Sequence, residues 1–159
     1  MPRLTQTQPL PQQACCPTLS RYLQQNLLTI LQGLENLPVL DTLNVSSNHL
    51  TSLEHIQSVP SLHTLLATNN QLDSADAIAP LAACTSLESL DLQNNRIKDT
   101  SALETLRTLP QLKCLYLTGN PLVSALSNYR KTVIAAIPTL SYLDDRPVFE
   151  RERRCAEAW

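Results

Sequence analysis

Aromatic residues and glycine are both scarce in this chain. Aromatics make up 4% of its 159 residues, with one Phe and one Trp. A layered globular core usually contains more large rings, so a core of regularly stacked aliphatic side chains is favoured. The only two glycines are Gly33 and Gly119. This scarcity, with the lack of Walker-type, G-x-S-x-G and CxxC motifs, argues against a phosphate-binding loop or a familiar catalytic site. We therefore expect no enzyme activity.

Charge and long apolar runs are lacking as well. Charged residues make up 16% of the chain, its net charge is −2 and its isoelectric point is near 5.9. A nucleic-acid-binding surface normally has a basic patch, and a membrane span needs about 18 or more consecutive apolar residues. Neither occurs in the sequence, so we expect no nucleic-acid partner and no membrane partner.

The start of the chain and its thiols give two further expectations. Residues 1–17 are rich in Pro and Gln and lack the basic start and apolar core of a signal peptide, so we expect a disordered segment there. The cysteines are odd in number and fit no zinc or redox spacing, which is typical of reduced thiols in a cytosolic protein. They are Cys15, Cys16, Cys84, Cys114 and Cys155.

What the chain does contain is a leucine repeat. Four segments match the pattern L-x-x-L-x-L-x-x-N-x-L: LDTLNVSSNHL, LHTLLATNNQL, LESLDLQNNRI and LKCLYLTGNPL. They begin at Leu40, Leu62, Leu87 and Leu112, which gives spacings of 22, 25 and 25 residues (62−40, 87−62 and 112−87). These spacings are typical of leucine-rich repeats. The sequence thus predicts an α/β leucine-rich-repeat solenoid, with a curved parallel sheet on the concave face and short 3₁₀ or α segments on the convex face.

The predicted repeat domain covers residues 18–143 in about five repeats. Its first repeat, residues 18–37, is degenerate, because Arg21 stands where a core leucine is expected. On the convex side we expect a single 3₁₀ or helical turn after the second repeat. The longer repeats predict helices of two or three turns, one with a capping box between Ser101 and Glu104.

One asparagine recurs in every turn of the repeat. Asn48, Asn70, Asn95 and Asn120 occupy the position where the chain turns inward after the strand. Their amides are expected to satisfy backbone groups of adjacent turns, which would otherwise be buried unpaired at about 1–3 kcal/mol each. We call these four residues the asparagine ladder and predict that it is structural. His49, His55 and His63 fall on different parts of two repeats, so no metal site and no cofactor are predicted.

The outward-facing strand positions are the candidate binding site, since solenoids ordinarily bind through the concave sheet. Most are small and polar, whereas Leu66, Cys114 and Tyr116 are not, and exposed large side chains of this kind anchor protein partners. The predicted contact residues are Thr42, Asn44, Ser46, Thr64, Leu66, Thr68, Ser89, Asp91, Gln93, Cys114, Tyr116 and Thr118.

The repeat pattern ends after Leu122. Apolar spacing from Val123 to Ile137 predicts one helix, with Arg130 and Lys131 on its outer side. A half-repeat follows at Leu140, in which Asp145 takes the next core position, while Val148 and Phe149 fold back over the core. Residues 123–159 are therefore predicted to be a C-terminal cap that ends in a charged helix or tail. The predicted cap residues are Tyr129, Arg130, Leu140, Leu143, Asp144, Asp145 and Phe149.

The ending also carries a resemblance to known proteins. Short convex turns closed by such a cap resemble the Sds22-like subfamily of leucine-rich repeats. Within it, NYRKTVI, YLDDRPVF and CAEAW look like the capping segment of the axonemal dynein assembly factor 1 family. The resemblance covers roughly residues 34–159, most closely 110–159. It implies a cytoplasmic, non-catalytic factor that helps to preassemble dynein arms for motile cilia or flagella.

Three hypotheses for function follow. The first is an adaptor that binds dynein components or their chaperones and acts as a monomer, in the cytoplasm or in association with the cilium or flagellum. The second is an Sds22-like regulatory subunit that binds a phosphatase catalytic subunit. Repeated acidic and aromatic residues along the concave strands would favour it, and only Asp91 and Tyr116 are present. The third is a scaffold of a ribonucleoprotein that holds a protein partner.

Overall fold

One seven-stranded sheet forms the body of the molecule. The computed structural model describes residues 19–35, 37 and 39–158, so the disorder expected for residues 1–17 lies outside the described residues. The strands lie side by side in chain order. They are β1 Leu19–Tyr22, β2 Leu40–Asn44, β3 Thr64–Leu66, β4 Ser89–Asp91, β5 Cys114–Tyr116, β6 Tyr142–Leu143 and β7 Arg146–Pro147.

The register of the sheet follows from the repeat. The first six strands are parallel, and each core leucine stands opposite the equivalent leucine of the next strand, as Leu43, Leu65 and Leu90 do. Only β7 runs antiparallel, against β6. Because side chains alternate along a strand, the leucines point into the solenoid while their neighbours line the concave face. This confirms the predicted fold class.

The core of the described residues consists of Leu, Ile, Val and Ala side chains with one cysteine, Cys84, and it contains no aromatic ring. Each buried leucine contributes on the order of 1.5–3 kcal/mol relative to an exposed one. Leucines from equivalent positions stack from turn to turn, so the space inside each turn is filled by the same shape. The scarcity of aromatics in the sequence is a direct consequence of this packing.

The convex segments have the lengths that the repeats allow. The 22-residue repeat forms a 3₁₀ helix, Ile56–Ser58. The next has α1, Ala75–Ile78, continued by a 3₁₀ helix, Ala79–Ala83, and the third has α2, Ala102–Arg107. At six residues, α2 is shorter than the two to three turns expected.

The capping box expected at Ser101 does not form. Ser101 has helical angles (φ −60°, ψ −17°) and its side chain caps nothing. The preceding residues already form a tight turn, in which the Ala102 N–H donates to the Asp99 carbonyl. Glu104 instead lies 3.7 Å from Arg107 in an exposed ion pair. A side-chain cap forms instead at α1, where the Ser74 hydroxyl accepts from the Ala77 N–H.

Each turn of the solenoid has one residue in a left-handed conformation just after its strand. Gln25, Ser47, Asn69, Asn94 and Gly119 have φ values of 57°, 56°, 55°, 52° and 83°. The position redirects the chain away from the sheet, which Asn and Gly tolerate well. At Gly119 a Cβ would lie 2.1 Å from Asn94 Oδ1, so a larger residue there would displace the Asn94 side chain.

The degenerate first repeat contributes β1, which pairs with β2, but all four of its residues are exposed. Arg21 stands opposite Leu43, in the place of a core leucine. Leu31 and Leu34 behind it are buried and join the core. The first repeat is thus a half-filled turn at the end of the stack.

The C-terminal segment differs from its prediction, since the single helix expected after Val123 is two. Helix α3, Pro121–Ala125, ends at Leu126, whose backbone is extended, and α4, Tyr129–Ala136, starts after Asn128 at φ 52°. Helix α5, Glu150–Glu157, follows β7 and packs on α4. Among the described residues, no helix has the length and apolarity needed to span a membrane.

Candidate protein-binding face

The outward strand positions form rows across the sheet, because the parallel register places equivalent residues opposite one another. Row one contains Thr42, Thr64, Ser89, Cys114 and Tyr142. Row two contains Asn44, Leu66, Asp91 and Tyr116. A third row lies two residues further along the chain, just beyond the strand ends, and contains Ser46, Thr68, Gln93 and Thr118. All are half-buried except Thr118, which is exposed. The predicted contact residues therefore share one face, and their role in binding stays a prediction.

Two side chains of row two have a local structural task. Asn44 Oδ1 accepts from the Ser46 N–H at 3.0 Å, and Asp91 Oδ1 accepts from the Gln93 N–H at 3.0 Å. Both bonds hold the chain as it leaves the strand. Asp91 Oδ2 accepts no hydrogen bond from the part of the chain that the structure describes, which leaves an acceptor on the face.

A pair of tyrosines lies at the C-terminal end of the face. The ring centroids of Tyr116 and Tyr142 are 6.0 Å apart with an interplanar angle of 45°, a tilted aromatic contact. Burial raises the pKa of Tyr116, and the negative charges of nearby groups, among them Asp91 and Asp144, raise it further. The Tyr142 hydroxyl donates to the Asp145 carbonyl at 3.2 Å.

Sequence reasoning missed two tyrosines of this face. Tyr142 stands opposite Cys114, and Tyr22, 63% exposed, stands opposite Asn44. Extending the repeat alignment to the half-repeat LSYL and to the degenerate first repeat would have placed both in the rows.

The asparagine ladder lies at the edge of the sheet where the strands end, with each amide buried at 4–6% exposure. Asn95 shows the pattern. Its Nδ2 donates to the Leu92 carbonyl of its own turn and to the Ala67 carbonyl of the preceding turn, both at 2.9 Å. Its Oδ1 accepts from the Leu72 N–H at 3.3 Å. Within the described residues, no buried side-chain nitrogen or oxygen lacks a partner.

Asp144 ends the parallel hydrogen-bond ladder at the turn between β6 and β7. Its Oδ1 accepts from the Leu117 N–H at 2.7 Å and from the Thr118 N–H at 3.1 Å. Its Oδ2 accepts from the Tyr129 hydroxyl at 2.8 Å. Burial, followed by the charge of Asp144 and this hydrogen bond, raises the pKa of Tyr129 well above its ordinary value. The carboxylate thus joins the last full strand to α4.

Arg130 joins four elements of the cap. Its Nε and Nη2 bind the two Glu152 oxygens at 2.7 and 3.1 Å, and other donors reach the Leu143 carbonyl at 3.0 Å and the Pro147 carbonyl at 2.7 Å. The bond to Arg130 lowers the pKa of Glu152 to about 2, against the cost of burial. Glu152 also accepts from the Phe149 N–H and so caps α5. The prediction from the sequence that Arg130 lies on the outer side of its helix was therefore wrong.

Sequence reasoning missed Glu152 and Arg153. Arg153 donates to the Pro138 carbonyl and, at 2.6 Å, to the Leu140 carbonyl. Two arginines therefore satisfy carbonyls at the end of the solenoid. The charge-dense ERERR run contains both residues, but the sequence alone does not say which of its charges turn inward.

Two predicted cap residues lie elsewhere than expected. Asp145 is exposed rather than in the core, because Asp144 adopts a left-handed conformation (φ 52°) and reverses the chain into β7. Phe149 is 58% exposed and does not cover the core, whereas Val148 is partly buried against it and Ala156 is buried. Leu140 and Leu143 are fully buried.

The histidines and thiols lie apart. In the described ranges no three His, Cys, Asp or Glu side chains cluster as metal ligands would. Of the thiols that the structure describes, Cys84 is buried, and burial raises its pKa to about 11. Cys114 is half-buried on the concave face and Cys155 is exposed on α5. Cys15 and Cys16 lie outside the described residues.

The cap also has a groove that the sequence did not suggest. It lies between α4 and α5, encloses about 430 Å³ and is mostly apolar. Ile134 and Cys155 line it together with Tyr129 and Lys131. The concave face, in contrast, is an open surface, as suits a binding site for another protein.

The stacked strands, the asparagine ladder and the terminal cap define a leucine-rich-repeat protein. The sequence model of the leucine-rich repeat family matches residues 40–159. The chain belongs to this family.

Its curated relatives are more specific. It is 54% identical over 84 residues to the leucine-rich repeat-containing protein ODA7 of Chlamydomonas reinhardtii, a match that covers 53% of this chain and 19% of that protein. It is 49% identical over 127 residues to the dynein axonemal assembly factor 1 homolog of Drosophila pseudoobscura pseudoobscura, covering 80% of this chain and 7% of that protein. The chain thus matches only a small part of these longer relatives.

Solved structures share the fold. A chain of the Drosophila melanogaster SNF/U2A′ complex superposes with a TM-score of 0.74 at 28% identity, covering 89% of this chain and 79% of that one. Internalin C2 of Listeria monocytogenes superposes with a TM-score of 0.63 at 26% identity, covering 79% of this chain and 50% of that one.

Proposed function

We propose that this chain is a non-catalytic protein-binding scaffold that takes part in the cytoplasmic preassembly of axonemal dynein arms for cilia or flagella. The observation that carries the proposal is the 46–54% identity to relatives named ODA7 and dynein axonemal assembly factor 1. Identity at this level extends beyond the leucine skeleton that the whole family shares.

The geometry supports a scaffold with two separate parts. The motifs that resemble the assembly factors, NYRKTVI and YLDDRPVF, contain Tyr129, Arg130 and Asp144. The Tyr129 hydroxyl donates to Asp144, and Arg130 donates to the Leu143 and Pro147 carbonyls, so these contacts all lie within the cap. These residues therefore stabilise the C-terminal cap of the solenoid. The open concave rows are the surface that we assign to protein partners: dynein components or their chaperones.

The same face supports a non-catalytic role. Asp144 has both oxygens engaged in hydrogen bonds, and Asp91 stands beside Tyr116 without a histidine next to it in either row. A nucleophile needs an adjacent base, and acid–base catalysis needs a group poised to exchange a proton. The described concave rows supply neither arrangement.

A graft into the algal relative tests the proposal. In Chlamydomonas reinhardtii cells whose ODA7 is deleted, we would express ODA7 with its matching segment replaced by this chain. We expect dynein arms on the axonemes, counted by electron microscopy. The control is the same graft made with the matching repeats of internalin C2, which share the fold but not the proposed partners.

Two results would contradict the proposal. One is a folded graft that leaves the axonemes without arms, and the other is an internalin graft that restores arms equally well. Immunoblots and limited proteolysis of each chimera would show that it accumulates and folds.

A second candidate is a ribonucleoprotein scaffold. It is favoured by the superposition on the SNF/U2A′ complex, which covers more of this chain than the match to any of the relatives described above. Affinity capture with this chain from flagellated cells separates the candidates. Recovery of ribonucleoprotein proteins or of a phosphatase catalytic subunit, without dynein or chaperones, would replace the first proposal.

A further inference from the structure

The C-terminal half of the concave face concentrates aromatic rings and negative charge. We call Asp91, Tyr116, Tyr142 and Asp144 the tyrosine–aspartate patch. Asp91 stands directly opposite Tyr116 on the neighbouring strand, so their side chains lie side by side on the face. Tyr142 follows on the next strand, with its ring 6.0 Å from that of Tyr116. Asp144 lies just after β6 at the same end of the face.

The negative charge of this patch is not neutralised by the concave strands. The described strand rows contain no Lys and no Arg side chain. One lysine lies just before β5, but it is paired there, since Lys113 Nζ lies 3.0 Å from Glu88 Oε1. Among the residues that the structure describes, no ion pair includes Asp91.

The two aspartates differ in what they offer to a partner. Asp144 already accepts three hydrogen bonds and its charge also interacts with Arg130, so it offers a partner no free acceptor and less charge than Asp91. Asp91 uses Oδ1 for the Gln93 N–H, and its Oδ2 accepts no bond from the described residues. The pKa of Tyr116 is raised mainly by burial, followed by Cys114, Tyr142 and the two aspartates.

We infer that the tyrosine–aspartate patch is the docking site for an arginine side chain presented by a protein partner. A guanidinium is planar and stacks on the face of a tyrosine ring, and it donates to a carboxylate at the same time. A lysine would satisfy the charge but not the stacking geometry. The negative potential excludes phosphate-rich partners from this end of the face.

This inference rests on the proposal that the concave face binds a protein, and it does not depend on that protein belonging to the dynein pathway. The test therefore uses the purified chain and no cells. A phage library of random 15-residue peptides is selected on the immobilised chain, with parallel selections on the Asp91→Asn and Tyr116→Ala variants. Asn retains the oxygen that accepts from the Gln93 N–H, so Asp91→Asn removes charge without removing the turn's hydrogen bond.

The expected result is enrichment of arginine, by at least threefold over the unselected library, on the wild-type chain and on the control variant Asp73→Asn. Asp73 is an exposed carboxylate in a loop away from the concave rows. The enrichment should disappear on both patch variants. A selected peptide should bind at least fivefold more weakly when its arginine is replaced by citrulline, which keeps the planar shape and loses the charge, and about threefold more weakly with lysine.

Three outcomes would overturn the inference: no arginine enrichment on the wild-type chain, equal enrichment on Asp91→Asn, or unchanged affinity of the citrulline peptide. Circular dichroism of each variant shows that the fold is retained. The graft experiment can succeed while this selection fails, and the reverse, so the failure of one does not obscure the other.

Discussion

At the scale of single residues, the asparagine ladder explains how the solenoid avoids buried backbone groups without hydrogen-bond partners at the bend of each turn. Each turn buries carbonyls and an N–H where its chain bends inward, and no strand partner is available for them. One amide side chain supplies two donors and an acceptor to these groups. Asn70 and Asn95 do this for the middle of the stack, where both neighbouring turns are complete.

The first prediction compares one asparagine in two environments. Asn95→Ala should lower the free energy of unfolding by about 1–3 kcal/mol, since the Leu72 N–H would be left buried without a partner. The Ala67 and Leu92 carbonyls would each lose one of their two amide donors and keep the other, from Asn70 and Asn120. The measurement is urea denaturation at pH 7. Asn26→Ala is the matched control, because Asn26 holds the same position in the first repeat but is exposed.

The control should cost less than about 1 kcal/mol, because water replaces the lost hydrogen bonds. Equal costs for the two substitutions would show that burial of the backbone groups is not what makes the ladder important.

At the scale of elements, the parallel hydrogen-bond ladder ends beyond β6, because a side chain takes the place of the next backbone carbonyl. The Ala67 N–H donates to the Asp91 carbonyl at 2.8 Å, and the Leu92 N–H to the Tyr116 carbonyl at 2.9 Å. In the last full turn the equivalent donor, the Leu117 N–H, binds the Asp144 carboxylate at 2.7 Å. A charged acceptor makes a stronger bond than a neutral carbonyl, so the end of the sheet is well satisfied.

The second prediction concerns this terminating carboxylate. Asp144→Ala should lower the free energy of unfolding by about 2–3 kcal/mol, because the N–H groups of Leu117 and Thr118 and the Tyr129 hydroxyl lose their acceptor. Asp145→Ala, at the exposed neighbouring position, should change it by less than about 0.5 kcal/mol. Thermal denaturation followed by circular dichroism measures both. A larger loss of stability for Asp145→Ala than for Asp144→Ala would show that Asp145, and not Asp144, is the residue that stabilises the end of the stack.

The third prediction is a pH dependence of the cap. The pKa of Glu152 is about 2, against an ordinary value of 4.5, because Arg130 binds the charged form. Its stabilising contribution is therefore complete above pH 4.5 and is lost as the pH falls toward 2. With 29% of the side chain exposed, we expect a loss of about 1–2 kcal/mol over this range.

Urea denaturation of the wild-type chain and of Glu152→Gln at pH 7, 4 and 2.5 checks this. The difference between the two should shrink as the pH falls. Glu104→Gln is the control, since the pair it forms with Arg107 is 76% and 66% exposed and should contribute almost nothing at any pH. A constant difference for Glu152→Gln would mean that the pair with Arg130 does not set the acid sensitivity of the cap.

At the scale of the whole molecule, the two ends of the stack are unlike. The C-terminal end is closed by α4, α5 and β7, and its carbonyls accept from Arg130 and Arg153. At the N-terminal end of the described residues β1 exposes all four side chains, and Leu27 and Ile30 are 81% and 50% exposed. Repeat proteins are stabilised by contacts between neighbouring turns, so the less filled end should open more easily.

The fourth prediction follows for hydrogen exchange. The amides of Leu23 and Gln25 donate to β2 and the residues after it, just as Ala67 and Leu92 donate to their following turns. Although all four amides make the same kind of backbone hydrogen bond, those of Leu23 and Gln25 should have protection factors at least tenfold lower than those of Ala67 and Leu92. The reason is that opening the first turn exposes little apolar surface. The Leu117 amide, at the capped end, is the control and should exchange as slowly as the central amides. Uniform protection along the stack would show that both ends unfold only with the whole domain.

Much of the fold follows from the sequence because the repeat is strictly local. The spacing of leucines after Leu40 specified which residues form strands and which of them turn inward, and the recurring asparagine marked each bend. The rows of the concave face follow from the same register. The cap follows less well: the break at Asn128, the exposure of Phe149 and the inward turn of Arg130 depend on contacts among helices that do not repeat.

The solenoid can be derived from the leucine pattern alone, because each turn meets the same environment and the same residues recur in it. The way in which the stack ends depends on contacts between elements that are distant in sequence. Asp144, Arg130 and Glu152 are charged residues that local propensity would place at the surface, yet each is held by backbone groups left unpaired where stacking stops. Those groups exist only once the turns before them have folded, so no local pattern specifies their partners.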